Sequence, residues 1–142
     1  MTVPAGLYLI DTSAWSRMHV PAVHKRLMTI LNEGAAATCL PLDLEDGRSA
    51  KNFRDAMSVR ALRARVMTEL PVTVAVATRS RDLQLALTQR GYHRAASPVD
   101  LITAAAAAEF GAIVLQYDRD YDVIAEVGGP RCEWVTPASS QP

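Results

Sequence analysis

The stretch "YLIDTSAW", residues 8–15, places an aspartate directly after a short apolar run and directly before two small hydroxyl residues. The continuous apolar run "GLYLI", from Gly6 to Ile10, is typical of a strand buried on both faces, as in a parallel sheet. Asp11 therefore stands at the carboxyl end of a predicted strand. It is either the cap of a following helix or part of a chemical site, and the rest of the chain bears on that choice.

The segments that follow alternate between helix and strand patterns. Strands are predicted at 35–40, 112–117 and 132–135. Helices are predicted from Pro21 to Gly34, within 42–70 with a break near "EDGRS", from Ser80 to Gly91, from Ser97 to Gly111 and within "DRDYDVIAEVGG". Residues 71–78, "PVTVAVAT", alternate as a strand does, but periodicity alone does not say whether they join the sheet, so they stay unassigned. This alternation predicts an α/β fold with a parallel sheet covered on both faces.

Length and composition narrow the class of protein. A chain of 142 residues predicts one domain, which we place at 1–136 with a disordered tail at 137–142. Its 15 basic and 15 acidic residues cancel, which excludes a strongly basic nucleic-acid binder but leaves a local basic patch open. Cys39 and Cys132 lie in or beside apolar stretches, which favours reduced thiols in a cytoplasmic protein over disulfides. The first apolar run is too short for a signal or membrane segment, so no membrane association is expected.

Acidic residues fall where the predicted strands end. Asp11, Glu45 and Asp118 each follow a strand, and Asp100 lies in the first turn of the helix that precedes the strand at 112–117. In an α/β unit that helix runs antiparallel to the strand, so it begins at the same edge of the sheet. Each acid singly is explained as a cap or a solvated residue. Four together would repel one another unless a cation were present.

The composition of this acidic group indicates which cation it would suit. Carboxylates without accompanying histidine or cysteine favour a hard ion such as Mg²⁺ or Mn²⁺. The three histidines, His19, His24 and His93, lack the spacing of a zinc site. An acidic pocket with such an ion is typical of enzymes that hydrolyse or transfer phosphate esters.

Four segments together carry a family resemblance. "YLIDTSAW", "LEDGRSAKN", "HRAASPVDLITAAAAAEFG" and "VLQYDRDYDVIAEV" resemble, in order, spacing and chain length, a PIN domain of the kind found in VapC-type toxins of bacterial toxin–antitoxin pairs. The resemblance implies a three-layer α/β/α Rossmann-like fold with a four- or five-stranded parallel sheet. It implies a Mg²⁺-dependent endoribonuclease, in which Mn²⁺ can substitute, that leaves a 5'-phosphate and a 3'-hydroxyl. It also implies a VapB-type antitoxin as partner and a homodimer.

The resemblance assigns roles to individual residues. Asp11, Asp100 and Asp118 match the acids that hold the metal, and Glu45 matches the acid that orients or deprotonates the attacking water. Ser13, two positions after the first aspartate, is expected to hydrogen-bond a water or a phosphate oxygen. Asp120 is expected either to take the place of Asp118 as a metal ligand or to lie beside the ligands without touching the metal.

One position departs from the family pattern. Asp46 follows Glu45 where similar toxins usually carry an apolar residue, which raises the question of which acid in this segment faces inward. We predict that Asp43 is the N-cap of the helix, that Asp46 faces solvent and that Glu45 faces the site.

Basic and apolar residues near these motifs have two interpretations each. Arg48, Lys51 and Arg94, with Arg54 and Arg90, are candidates for contacts with the RNA backbone, the alternative being an ordinary solvated helix surface. Trp15 and Met18 either line a groove for an antitoxin helix or pack in the core.

Two other functions compete with a ribonuclease. A phosphatase of the haloacid dehalogenase kind also has an aspartate after its first strand, but it requires a second acid two residues later, where this chain has Ser13. A PIN-like scaffold that binds RNA or a partner without cleaving it is the other alternative, and the presence of all four acids argues against it.

Overall fold

The computed structural model describes residues 3–137, so the predicted tail lies outside the described residues except for Pro137. Five strands form one parallel sheet in the order β3-β2-β1-β4-β5. The strands are β1 (Tyr8–Ile10), β2 (Ala36–Cys39), β3 (Thr68–Leu70), β4 (Ile113–Gln116) and β5 (Cys132–Trp134). The predicted α/β class and parallel sheet are confirmed, with five strands.

Helices cover both faces of this sheet. They are α1 (Thr12–Trp15), α2 (Pro21–Asn32), α3 (Leu40–Gly47), α4 (Phe53–Val66), α5 (Val74–Gln89), α6 (Pro98–Phe110) and α7 (Asp120–Glu126). One hydrophobic cluster lies under α2, around Val23 and Leu27, and a second lies under α5 and α6, around Leu87 and Ala104. Within the described part of the chain, no helix combines the length and apolar character needed to span a membrane.

Helix α6 begins and ends where its sequence predicts. The Ser97 hydroxyl accepts a hydrogen bond of 3.1 Å from the backbone N–H of Asp100, and the Asp100 carboxylate accepts one of 3.2 Å from the N–H of Ser97. Gly111 ends the helix with φ of +68°, a conformation that glycine adopts without steric cost. Four consecutive alanines, residues 104–107, are fully buried. Their small side chains let the helix lie close to the sheet, which fixes the position of its first turn.

The third strand is where the sequence prediction was wrong. The sequence pattern predicts that residues 68–70 end a helical segment, but they form β3, an edge strand of three residues that is too short to show a periodicity of its own. The unassigned residues 71–78 do not join the sheet, because α5 begins at Val74 with the Thr73 hydroxyl accepting from the N–H of Val76. Val74 is 85% exposed, so its part in the alternating pattern does not reflect burial in a strand.

A buried arginine joins α4 to α3 and β2. Arg63, 6% exposed, donates to the carboxylate of Asp43 at 3.0 Å, to that of Asp46 at 3.4 Å and to the Thr38 hydroxyl at 2.8 Å. Helix α3 begins directly after β2, which puts Asp43 inside its first turn, and the N-cap position belongs to Cys39. The predictions that Asp43 is an N-cap and that Asp46 faces solvent are therefore wrong. Both acids instead neutralise a buried guanidinium.

Replacing this arginine tests whether the ion network stabilises the fold. We expect Arg63→Met to lower the free energy of unfolding by about 2 to 4 kcal/mol, because it leaves two partly buried carboxylates without their cation. Urea unfolding followed by circular dichroism measures the change. The exposed pair Arg79–Glu109 is the matched control, and Arg79→Met should change stability by less than about 1 kcal/mol. Equal effects of the two variants would contradict a structural role for the network.

The two cysteines are free thiols, as predicted, with Cys39 buried and Cys132 half-buried. Burial raises the pKa of the Cys39 thiol to about 11 and that of the Cys132 thiol to about 12. Both are therefore protonated and unreactive at neutral pH.

Candidate metal centre

The carboxyl ends of β1, β2 and β4 meet at one edge of the sheet, where parallel α/β folds bind their ligands. Asp11 directly follows β1, and Asp118 lies two residues after β4. Helix α6 runs back toward this edge, so that Asp100, in its first turn, lies beside them. The topology thus brings together acids that are more than a hundred residues apart in sequence.

Three carboxylates form a compact cluster at this edge. One oxygen from each of Asp100, Asp118 and Asp120 lies within 4.8 Å of the others, and all three residues are half-buried. No histidine or cysteine belongs to this group. A donor set made of carboxylate oxygens fits a hard divalent cation such as Mg²⁺ or Mn²⁺. Below, "the carboxylate cluster" denotes these three residues.

The pKa values at the cluster report its electrostatics. The pKa of Asp100 is raised from 3.8 to about 6, chiefly by burial and also by the charges of Asp11 and Asp118, against the opposing effect of its hydrogen bonds with Ser97. Burial and the charge of Asp118 also raise the pKa of Asp120. The charge of Asp118 therefore disfavours ionisation of both Asp100 and Asp120, a cost that a bound cation would relieve.

Asp11 is more buried than the carboxylate cluster, and both of its carboxylate oxygens already accept hydrogen bonds. It is 4% exposed, its Oδ2 accepts a 2.9 Å hydrogen bond from the backbone N–H of Ser13, and its Oδ1 accepts a 2.6 Å hydrogen bond from the Tyr121 hydroxyl. The bond to Ser13 makes Asp11 the N-cap of α1. Since its charge also raises the pKa of Asp100, Asp11 is close to the cluster as well as being a cap.

Glu45 is not part of the carboxylate cluster. It lies on α3, three residues after Leu42, and therefore on the face that packs toward α6. Among residues 3–137 its side chain forms neither a hydrogen bond nor an ion pair, whereas the carboxylates of Asp43 and Asp46 are both bound to Arg63. Glu45 is thus the uncommitted acid of this segment, and its catalytic role stays a prediction.

Ser13 connects the ends of β1 and β4. Its hydroxyl oxygen accepts a 2.9 Å hydrogen bond from the backbone N–H of Tyr117, the residue before Asp118. Arg17 donates to the Ser13 carbonyl at 2.7 Å, and its guanidinium lies over the Tyr117 ring at 4.0 Å. In the described part of the chain no carboxylate forms an ion pair with Arg17. This cation beside the acidic edge was not predicted, although its spacing of four residues from Ser13 places the two on one side of a helical turn.

The predicted basic contacts lie on the surface. Arg48, Lys51 and Arg94 are exposed, and none of their side chains forms an ion pair with a residue that the structure describes. Arg54 is likewise exposed, while Arg90 lies 3.8 Å from Glu126. Contact of these residues with RNA stays a prediction.

Trp15 and Met18 are half-buried against the hydrophobic cluster under α2. Of the two interpretations left open by the sequence, this position favours core packing. An open groove lies elsewhere, between α3 and α4, with a volume of about 720 Å³ and a lining that includes Leu40, Leu44 and Val59.

Comparison with known proteins identifies relatives over nearly the whole chain. No family model matches. The sequence is 38% identical over 128 residues to a Mycobacterium tuberculosis protein named Ribonuclease VapC21, covering 90% of this chain and 93% of that protein. The fold matches a chain in the structure of VapBC-1 from nontypeable Haemophilus influenzae, with a TM-score of 0.74, 13% identity, and coverage of 92% of this chain and 99% of that one.

A second solved structure, VapBC-5 from Mycobacterium tuberculosis, is described as a member of the VapBC family of toxin–antitoxin systems. It matches with a TM-score of 0.58 and 21% identity, covering 94% of this chain and all of the other. At such identities the two structural matches bear on the fold alone, and they confirm the predicted class.

Proposed function

Because this chain belongs to the VapC ribonucleases, we propose that it is the toxin of a toxin–antitoxin pair and hydrolyses RNA phosphodiester bonds with Mg²⁺. The observation that carries the proposal is the carboxylate cluster of Asp100, Asp118 and Asp120, with Asp11 beside it. Because burial and neighbouring charges raise the pKa values of Asp100 and Asp120, keeping these carboxylates ionised without a cation is costly. The same cluster lies where α/β folds place their ligands.

Four aspartates would share the metal. Asp100 and Asp118 would hold it directly, with Asp11 and Asp120 contributing an oxygen or binding its water ligands. When bound, the ion supplies a Lewis acid that offsets charge on the phosphate and makes water a better nucleophile at neutral pH. Mn²⁺ would serve in place of Mg²⁺, since both prefer oxygen donors.

The remaining polar residues would handle the proton and the substrate. Glu45, whose carboxylate has no partner among residues 3–137, would orient the attacking water and accept its proton. Ser13 uses its oxygen to accept from Tyr117, so its own hydroxyl proton is available for a phosphate oxygen. Cations must surround an acidic pocket that takes a polyanion. Arg17, which lies four residues after Ser13 and donates to its carbonyl, would be one of these cations. Arg48, Lys51 and Arg94 would extend the contact with RNA outward.

We extend the proposal to the partner of the protein. A VapB-type antitoxin is supported by the fold match to chains of VapBC structures. The groove between α3 and α4 offers a helix an apolar lining, with Leu44 and Leu40 64% and 48% exposed. We also propose a homodimer, which follows from the family alone, and a cytoplasmic location, which the free cysteines favour.

A cleavage assay tests this function. The purified, antitoxin-free protein is incubated with pools of transfer, ribosomal and messenger RNA, with Mg²⁺ and with EDTA. We expect discrete cuts with Mg²⁺ and none with EDTA. Absence of any metal-dependent cut would overturn the proposal. Turnover of p-nitrophenyl phosphate in its place would favour the phosphatase alternative, which the presence of Ser13 two residues after Asp11 argues against.

Replacing Arg17 tests its contact with substrate. We expect Arg17→Met to raise the KM for RNA about tenfold while leaving Mn²⁺ affinity unchanged, because one charge-assisted phosphate contact is lost. The dependence of KM on salt should also become shallower, since one fewer counterion is released on binding. Arg131, which directly precedes β5 and pairs with Glu133 in that strand, provides the control, and Arg131→Met should leave KM unchanged. A variant at Arg17 with unchanged KM would show that this residue only stabilises the turn after α1.

A further inference from the structure

A fully buried tyrosine lies behind the proposed metal centre. Tyr121 follows Asp120 in α7, has no exposed surface, and places its hydroxyl oxygen 2.6 Å from Oδ1 of Asp11. An ionised carboxylate can only accept hydrogen bonds, so Tyr121 is the donor. Burial, together with the charges of Asp11 and Asp100, raises the pKa of Tyr121 well above 10, which keeps the hydroxyl protonated.

Further hydrogen-bonding side chains lie behind Tyr121 in the core. Since Tyr121 donates its only proton to Asp11, its oxygen is free to accept one, and the Thr103 side chain lowers the pKa of Tyr121, as a hydroxyl that donates to the phenol oxygen does. The thiol of Cys39 lies 3.8 Å from the oxygen of Thr103 and donates to it in turn. All of these groups are buried. A directed chain of donors therefore ends on the carboxylate of Asp11, and each bond polarises the next.

Two donors then hold the carboxylate of Asp11 in one orientation. The N–H of Ser13 is bonded to Oδ2 and the Tyr121 hydroxyl to Oδ1, so neither oxygen can rotate without breaking a bond. A phenylalanine at position 121 would fill nearly the same volume in the core. The hydroxyl is thus the part of this side chain that packing does not require.

We infer that Tyr121 is a positioning residue of the metal centre, which fixes through its hydroxyl the orientation in which Asp11 meets the ion. The inference rests on the proposed function, because it assigns Asp11 to the metal. Groups that hydrogen-bond a metal ligand from behind set its geometry, and their loss commonly lowers metal affinity about 10- to 100-fold.

Metal affinity measured without RNA tests this role. We expect Tyr121→Phe to raise the Kd for Mn²⁺, measured by titration calorimetry, by about 10- to 100-fold. Tyr8→Phe is the matched control, because Tyr8 is half-buried on β1 and its hydroxyl makes no hydrogen bond within residues 3–137; its Kd should equal that of the wild type. An unchanged Kd in a folded Tyr121→Phe protein would overturn the inference.

A second variant covers the case in which Tyr121→Phe does not fold. Thr103→Val keeps both Tyr121 and the shape of the core but removes the donor behind the tyrosine, and we expect it to raise the Kd about two- to fivefold, less than Tyr121→Phe does. An unchanged Kd in Thr103→Val would then overturn the inference. Failure of the proposed function gives a different result, since the wild-type protein itself would then neither bind Mn²⁺ nor cleave RNA with it.

Discussion

Asp118→Asn and Asp100→Asn are each expected to lower the rate of RNA cleavage by about a thousandfold or more, which corresponds to about 4 kcal/mol of lost transition-state stabilisation. Asparagine keeps the shape of the side chain but removes the charge that a divalent ion requires from its ligands. Cleavage is measured at saturating Mg²⁺ with the wild type and both variants. Asp82→Asn, on the exposed surface of α5, is the control and should retain full activity.

The effect of each substitution on bacterial growth should follow its effect on RNA cleavage. Expression without an antitoxin is expected to arrest growth for the wild type and Asp82→Asn, and to leave growth normal for Asp11→Asn, Asp100→Asn and Asp118→Asn. Arrest that persists in well-expressed Asp11→Asn and Asp100→Asn would mean that harm comes from binding a target, as in the non-cleaving scaffold.

Asp100→Asn should also change stability in opposite directions with and without metal. The pKa of Asp100 is raised from 3.8 to about 6, so between these pH values the folded protein holds a proton that the unfolded chain has lost. The stability of the metal-free wild type should therefore fall as pH rises from about 4 to about 6 and stay lower above that range. Asparagine does not titrate, so at pH 7.5 in EDTA the variant should be the more stable by about 1 to 2 kcal/mol, allowing for partial solvent screening.

Metal should reverse this order. At a hundredfold excess of Mn²⁺ over its Kd the wild type should gain about 2.7 kcal/mol, and the variant much less. Thermal melts of both proteins in EDTA and in Mn²⁺ measure the two effects.

The capping role of Asp100 requires a separate control. Its carboxylate accepts from the N–H of Ser97, a role that the amide oxygen of asparagine can also fill. Ser97→Ala removes the helix cap without altering the charge of the cluster, and should cost about 1 kcal/mol equally in EDTA and in Mn²⁺. If Asp100→Asn behaves in the same way as Ser97→Ala, Asp100 is only a capping residue.

The acids at the edge of the sheet could be predicted because local signals determine their positions. The apolar run before Asp11 predicts a buried strand, and buried strands in an α/β chain are parallel, so their carboxyl ends coincide. Ser97, Pro98 and Gly111 fix both ends of α6 and therefore the position of Asp100. These predictions depend on neighbours in sequence, which is why they match the structure.

The features that were missed depend on partners distant in sequence. Nothing in the sequence of α4 distinguishes Arg63 from the exposed arginines around it. Its burial is explained only by its contacts with Asp43 and Thr38, which lie 20 and 25 residues earlier. Tyr121 meets Asp11 across 110 residues of chain, and no local pattern signals that bond. Strand β3 forms because it pairs with β2. Its three residues would not predict a strand on their own.

A crystal structure of the protein grown with Mn²⁺ would locate the ion by its anomalous scattering and test the metal centre most directly. We expect a peak in contact with the carboxylates of Asp100 and Asp118, with Asp11 beside it, and no such peak in Asp100→Asn crystals at the same concentration. An ion bound away from these carboxylates, or no ion at a concentration of Mn²⁺ that supports RNA cleavage, would contradict the proposed metal centre.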